Sequence, residues 1–159
     1  QALKIPRGHR FLTNAGLGHM GSGLPMAVGA CIAGGKKDII CCEGDGSIML
    51  NIQELQTALH HNLPLKIFIF NNNGYYSIRN SHLKFFNKVS AADPSSGVSL
   101  PDFSKLIPAW GLAYERINND GELDKLKKVM DHKGPIVCEL TLDPAQPLLE
   151  KWMAGMYAG

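Results

Sequence analysis

Glu43-Gly44-Asp45-Gly46-Ser47 follows an apolar run at 38–42, and Asn71-Asn72-Asn73-Gly74 follows a second apolar run at 65–70. Both runs have the length and composition of buried strands. The residues between them have the periodicity of one amphipathic helix that begins at Ser47. A strand, a helix and a strand form a βαβ unit whose parallel strands have their carboxyl ends at one edge. We therefore expect Asp45 and Asn72 to be neighbours.

The residues at this edge have the chemistry of a phosphate and cation site. Gly44 and Gly46 let the backbone approach a ligand closely, and the helix after Ser47 has free N–H groups that favour a phosphate. The Asp45 carboxylate, the Asn72 amide oxygen and a phosphate are ligands that suit Mg²⁺. A dinucleotide-binding or P-loop site is excluded, because no GxGxxG follows the first strand and no P-loop lysine is present.

This combination resembles the cofactor signature of thiamine-diphosphate-dependent enzymes. The similarity lies in Gly-Asp-Gly-Ser, a helix, a hydrophobic strand and Asn-Asn, with Asn72 27 positions after Asp45. The resemblance implies that Asp45, Asn72 and the backbone carbonyl of Gly74 bind Mg²⁺, which in turn holds the diphosphate of thiamine diphosphate.

A second segment, Leu17-Gly18-His19-Met20-Gly21-Ser22-Gly23-Leu24-Pro25, resembles the part of acetolactate synthases and related decarboxylases that bends the cofactor. The resemblance implies that Met20 lies between the two cofactor rings and that the carbonyl of Gly18 receives the 4′-amino group. The 25 positions from Met20 to Asp45 also fit the acetolactate synthase branch. The similarity continues through residues 51–58 and weakens toward the C-terminus.

Strands alternating with helices along the chain imply a three-layer α/β/α domain with a mainly parallel sheet. The pattern predicts further helices at 22–33, at 75–82, after a cap at Asp102 and at 120–132, and further strands at 112–117 and 136–142. On the first of these helices one face is expected to be buried: Leu24, Ala27, Val28, Cys31 and Ile32. The loop from 83 to Pro101 is long enough for a lid. The tail after Asp143 is expected to be irregular.

Composition limits the classes of function. Hydrophobic residues are 45% and charged residues 19% of the 159 residues, as in a globular domain, and the net charge of +2 gives no basic footprint for nucleic acid. The sequence has no apolar run of membrane-span length and no apolar core of a signal peptide. The four cysteines show no metal-site spacing, which favours burial in a reduced, cytoplasmic protein: Cys31, Cys41, Cys42 and Cys138.

Several other polar side chains have both a functional and an ordinary interpretation. His19 flanks the proposed wedge and could act as an acid or base. We expect instead that its side chain points away from the reacting atoms. The pair His60 and His61 falls at a helix end, where solvation is the ordinary role. Two residues are candidates to meet a substrate carboxylate, namely Arg79 and His82. Two more either line the pocket or pack in the core, namely Tyr75 and Tyr76.

The resemblance implies an enzyme that decarboxylates a 2-keto acid and transfers the acyl unit to a second carbonyl. In that family the glutamate that activates the cofactor comes from an N-terminal domain of a neighbouring subunit, so we assign no catalytic residue within this chain. Residues 1–159 are then expected to be the C-terminal, diphosphate-binding domain of a larger chain that forms at least a homodimer. Alone, this domain is expected to be inactive.

One departure and two alternatives remain open. Family members that favour 2-ketobutyrate carry a tryptophan where this chain has Ser81, and residues 73–80 look more like divergent acetolactate-synthase-like enzymes encoded with polysaccharide genes. A simple 2-keto-acid decarboxylase, which releases an aldehyde, is the alternative reaction. A non-catalytic cofactor-binding module is the alternative from another class.

Overall fold

In the computed structural model, which describes residues 4–146, four parallel strands form one sheet in the order β1-β2-β4-β3. The strands are β1 (Ile39–Gly44), β2 (Leu65–Asn71), β3 (Ala113–Ile117) and β4 (Ile136–Thr141). The central strands β2 and β4 are buried along most of their length. Gly44 pairs in register with Phe70, and Asn71 with Thr141. The carboxyl ends of three strands therefore share one edge of the sheet.

Helices cover both faces of this sheet, which gives the predicted three-layer α/β/α architecture. They are α1 (Gly23–Ala33), α2 (Asp45–Ile48), α3 (Glu54–His60), α4 (Tyr76–Phe86), α5 (Phe103–Ala109) and α6 (Lys125–Asp131). On one face α1, α3 and α5 bury the larger core, which includes Leu24, Leu55, Ile67 and Phe103. On the other face α6 packs Val129 against Phe68 and Cys138. No helix within residues 4–146 is both long and apolar enough to span a bilayer.

The first strand differs from the prediction, because it is half exposed and not fully buried. Cys41 is buried, whereas Ile40 is 57% exposed and Cys42 is also exposed. Both exposed side chains lie on the face that α6 covers, but the main strand contacts of α6 are with β3 and β4 and not with the edge strand β1. The expectation that all four cysteines are core residues is therefore wrong for Cys42. It is right for Cys31, Cys41 and Cys138, and all four thiols are free.

Two helices differ from their predicted bounds, and a third differs in its buried face. The segment expected to be one helix from Ser47 is two helices, α2 and α3, separated by tight turns in which Leu50 and Asn51 donate to carbonyls three residues earlier. The helix predicted at 120–132 begins as a 3₁₀ turn, Asp120–Glu122, before α6. In α1 the buried face is as predicted except for Ile32, which is half exposed.

The segment after the second strand is more ordered than predicted. Helix α4 extends to Phe86, and the rest of the expected lid contains a 3₁₀ turn, Pro94–Ser96, that Asp93 caps. Asp102 caps α5 as predicted, by accepting the backbone N–H of Ser104. The predicted irregular tail after Asp143 lies mostly outside the described residues.

Candidate functional site

Asp45 contacts the turn that follows β2. Its carboxylate lies at the start of α2 and is 2% exposed. Oδ1 accepts the backbone N–H of Gly46 at 2.8 Å, and Oδ2 accepts that of Gly74 at 2.9 Å. The βαβ unit therefore brings the two halves of the sequence signature into direct contact, as the sequence predicts.

Asn72 lies in this turn, and its side chain leaves an oxygen available. Oδ1 of Asn72 is buried, and no described residue gives it a hydrogen bond. A buried polar atom without a partner costs about 1–3 kcal/mol and is rare in native proteins, so it indicates a ligand. An amide oxygen close to a buried carboxylate is a donor set that Mg²⁺ accepts. The residues present therefore fit the cation that the resemblance implies.

Glycine is required at two positions of the signature. Gly74 has φ +132°, and a Cβ there would overlap the carbonyl oxygen of Ala92. At Gly46 a Cβ would overlap the ring of Tyr75, whose own N–H donates to Ala92 at 2.7 Å. Tyr75 thus packs on the glycine loop. At Gly44 a Cβ would make only an ordinary contact, 3.8 Å from Cβ of Ser47, so protein packing does not explain that glycine.

Arg79 holds the same turn through hydrogen bonds to its backbone carbonyls. Its guanidinium donates to the carbonyl of Asn72 at 3.0 Å and to that of Asn73 at 3.1 Å, and the residue is only 8% exposed. It also approaches Pro144 O at 3.4 Å and Asp93 at 3.9 Å. The hypothesis that Arg79 meets a substrate carboxylate is therefore not supported, since its donors are used within the protein.

Burial and hydrogen bonding oppose each other at Asp45. Burial raises the pKa of the Asp45 carboxyl, because removal from water disfavours the charged form. Hydrogen bonds from the N–H groups of Gly74 and Gly46, and the positive charge of Arg79, act in the other direction. A bound cation would add to these opposing effects and favour the ionised carboxylate.

Ser47 connects this loop to the segment that contains Met20. Its hydroxyl donates to Oε2 of the buried Glu43 at 2.5 Å and accepts the N–H of Gly21 at 3.0 Å. Oε1 of Glu43 in turn accepts the N–H of Leu24 at 3.1 Å, in the first turn of α1. The hydroxyl proton of Ser47 is directed at Glu43 and not at the cleft. That Ser47 and the N–H groups after it contact a phosphate stays a prediction.

Gly18, His19 and Met20 lie on the surface beside β1. Met20 is 42% exposed, and Gly18 has φ +63°. They line a cleft of about 830 Å³ that also includes Ile40, Cys42 and Ser47. The exposure of Met20 leaves it available for the wedge role, which stays a prediction. His19 is exposed, and the side-chain amide of Asn14 lies 3.5 Å from its Nδ1.

The remaining candidates have ordinary environments. His60 and His61 stack edge to face at the end of α3. His82 accepts the N–H of Ser90 at 3.4 Å and packs on Phe86. The Tyr76 hydroxyl donates to Gln146 O at 2.5 Å. Across residues 4–146 no three His, Cys, Asp or Glu side chains cluster as a metal site.

Two buried glutamates next to the site were missed by the sequence reasoning. Glu43 connects the Met20 segment to α2, and Glu139 on β4 accepts the side-chain amide of Asn71 at 2.6 Å. Each is a carboxylate within a hydrophobic strand, which is rare unless the charge has partners. That signal could have identified both residues.

Comparison with known proteins gives a consistent result. Residues 1–140 match the family model described as thiamine pyrophosphate enzyme, C-terminal TPP binding domain. An acetolactate synthase large subunit from Pyropia yezoensis is 38% identical over 145 residues, which cover 89% of this chain and 24% of that protein. The mitochondrial catalytic subunit from Saccharomyces cerevisiae is 36% identical (89% and 20%), and the isozyme 1 large subunit from Escherichia coli is 32% identical (90% and 25%). The chain thus spans about a quarter or less of the curated relatives it matches.

Proposed function

Because the chain belongs to the family of C-terminal TPP-binding domains of thiamine pyrophosphate enzymes, we propose that it holds the diphosphate of that cofactor through Mg²⁺ in an acetolactate-synthase-like enzyme. The observation that carries this proposal is the free Oδ1 of Asn72, in the turn that the buried carboxylate of Asp45 contacts through Gly74. An oxygen donor set with one negative charge suits Mg²⁺, which needs further oxygens from phosphate and water. The proposed ligands in this chain are Asp45, Asn72 and the carbonyl of Gly74.

The chain's own residues would bind and orient the cofactor. Gly18 and Met20 would contact its ring portion, while Gly44, Gly46 and Ser47 would lie along the diphosphate. Tyr75 packs on Gly46 and keeps the loop closed on that side. When bound, thiamine diphosphate supplies a nucleophilic carbon and an electron sink for loss of CO₂ from a 2-keto acid.

Transfer to a second carbonyl is the reaction that we propose for the complete protein. The support for this is that the relatives described above are named acetolactate synthases. We also propose that residues 1–159 are one domain of a longer chain that forms at least a homodimer, and that the activating glutamate lies outside this chain. The four free thiols support a reducing compartment such as the cytoplasm.

Two measurements test this proposal. Calorimetric titration of the complete protein with thiamine diphosphate should give binding that requires Mg²⁺. The absence of binding would contradict the proposed function. Product analysis with pyruvate should then give acetolactate. Acetaldehyde as the main product would favour the simple decarboxylase, and cofactor binding without turnover would favour the non-catalytic module.

The isolated chain offers a further check on the missing glutamate. We expect the isolated residues 1–159 to show no turnover of pyruvate, because the proposed activating group is not among them. Acetolactate formation by this chain alone would contradict that assignment.

A further inference from the structure

A buried polar network reaches the turn at 71–74 from β4, the strand that flanks β2 on the side away from β1. Its centre is Glu139, which lies on β4 and is 1% exposed. Oε1 of Glu139 accepts the side-chain amide of Asn71 at 2.6 Å. Oε2 accepts the hydroxyl of Tyr114 and two donors of Arg116, Nε at 3.0 Å and Nη2 at 2.8 Å. The guanidinium supplies the positive charge that a buried carboxylate requires.

The charge of Glu139 determines how the side chain of Asn71 is oriented. An amide carries a donor and an acceptor of nearly equal size, so its orientation depends on its partners. An ionised carboxylate can only accept, so Asn71 must direct its NH₂ group toward Glu139. Its Oδ1 is then directed away from Glu139, where it accepts the N–H of Asn73 at 3.0 Å.

The hydrogen bond to Asn73 acts on the conformation of the proposed metal-binding turn. Asn73 has φ +60°, in the left-handed region that a residue with a side chain adopts at some cost. It lies between Asn72 and Gly74, the two proposed ligands of the turn. The backbone carbonyl of Asn71 is also fixed, since it accepts the N–H of Leu142 at 2.8 Å.

We propose that Glu139 is a positioning residue: by orienting the amide of Asn71, it presets the 72–74 turn for a divalent cation. The inference rests on the proposed function, and it places Glu139 outside the ligands, acting through Asn71 and the N–H of Asn73 on the turn that carries them. Loss of residues that orient metal ligands from outside typically weakens metal affinity by about 10–100-fold.

The test compares Glu139→Gln with Glu115→Gln in the complete protein. Glu115 lies on the neighbouring strand β3 and pairs with Lys128 at 2.6 Å, away from the turn. The measurement is the Mg²⁺ concentration that gives half-maximal binding of thiamine diphosphate, with circular dichroism to confirm folding. We expect about a tenfold or greater increase for E139Q and no change for E115Q. A folded E139Q with the wild-type value would overturn the inference.

A double variant tests the orientation itself. In Asn71→Asp with Glu139→Gln, the glutamine NH₂ donates to the new aspartate, whose other oxygen accepts the N–H of Asn73. The hydrogen-bond pattern is thereby restored with the donor and acceptor exchanged, so Mg²⁺ affinity should recover most of the loss. A double variant no better than E139Q would contradict orientation as the cause.

A second single variant decides the question if E139Q does not fold. Asn71→Ser removes the amide and leaves Glu139 with Arg116 and Tyr114, and it should raise the Mg²⁺ requirement similarly. A folded N71S with wild-type Mg²⁺ affinity would overturn the inference. If the wild-type protein binds no thiamine diphosphate at any Mg²⁺ concentration, the proposed function fails instead.

Discussion

The backbone N–H of Gly74 donates a 2.9 Å hydrogen bond to Oδ2 of Asp45, across 29 positions of sequence. This contact joins the loop after β1 to the turn after β2. Asp45 therefore shapes the turn and also provides the negative charge next to it. Because burial raises the pKa of this carboxyl, a cation is the partner that would make its ionised form favourable.

Asp45→Asn is expected to abolish Mg²⁺-dependent binding of thiamine diphosphate without unfolding the protein. Asparagine keeps the size and one acceptor oxygen but removes the charge that the cation needs. Both carboxylate oxygens accept a backbone N–H, so the asparagine NH₂ must face one of these buried donors, and the free energy of unfolding without ligand should fall by about 1–3 kcal/mol. Calorimetry and thermal melting check both effects.

The control for this variant is Asp38→Asn. Asp38 directly precedes the first residue of β1, and its side chain is 77% exposed. This substitution removes the same charge without touching the turn, so we expect wild-type cofactor affinity. Cofactor affinity of D45N within a few-fold of wild type would contradict the assignment of Asp45 as a cation ligand.

Gly74→Ala is expected to destabilise the protein more than Gly97→Ala. Both glycines have a left-handed φ, so each substitution adds backbone strain of about 1–3 kcal/mol. At Gly97 a Cβ meets nothing within 4 Å, whereas at Gly74 it overlaps the carbonyl oxygen of Ala92. The overlap should add roughly 1–3 kcal/mol. Urea unfolding measures the difference, and equal losses would show that the turn can move away from Ala92.

The sequence was sufficient to predict the βαβ unit and the contact between its two loops. Hydrophobic runs followed by Gly-Asp-Gly and Asn-Asn indicate parallel strands with their functional ends together, and this depends only on local pattern and crossover handedness. The free Oδ1 of Asn72 is consistent with the ligand role that resemblance implied.

The parts that could not be predicted depend on which strands and helices lie side by side. Glu139 reaches Asn71 because β2 pairs with β4, which lies far away in sequence. Cys42 is exposed because it lies on the edge strand β1, outside the main contacts of α6 with β3 and β4. Neither the strand order nor the reach of α6 is encoded in the pattern of a single strand, so these contacts required the structure.

Met20→Ala is expected to reduce turnover by the complete enzyme strongly while changing its stability little. Under the proposed function Met20 supports the bent cofactor, and orientation effects of this kind reach 10²-fold or more in rate. At 42% exposure its truncation leaves no large cavity. Met130→Ala, at 45% exposure on α6, is a matched control and should leave kcat unchanged. Equal activity of the two variants would contradict the wedge role of Met20.

Glu115→Gln is expected to lower the free energy of unfolding at neutral pH but not in acid. The hydrogen bond from Lys128 holds the pKa of Glu115 below its usual value. A carboxyl whose pKa is lowered by folding contributes stability above its unfolded pKa and loses it as pH falls through the folded value. Lys128 is mostly exposed, so the difference between the wild type and E115Q should be about 0.2–1 kcal/mol near neutral pH. Urea unfolding at neutral pH and at successively lower pH, starting from the usual glutamate pKa of about 4.3, should show that difference shrink as pH falls. A difference that persists in acid would show that packing, and not the ion pair, is what the substitution removes.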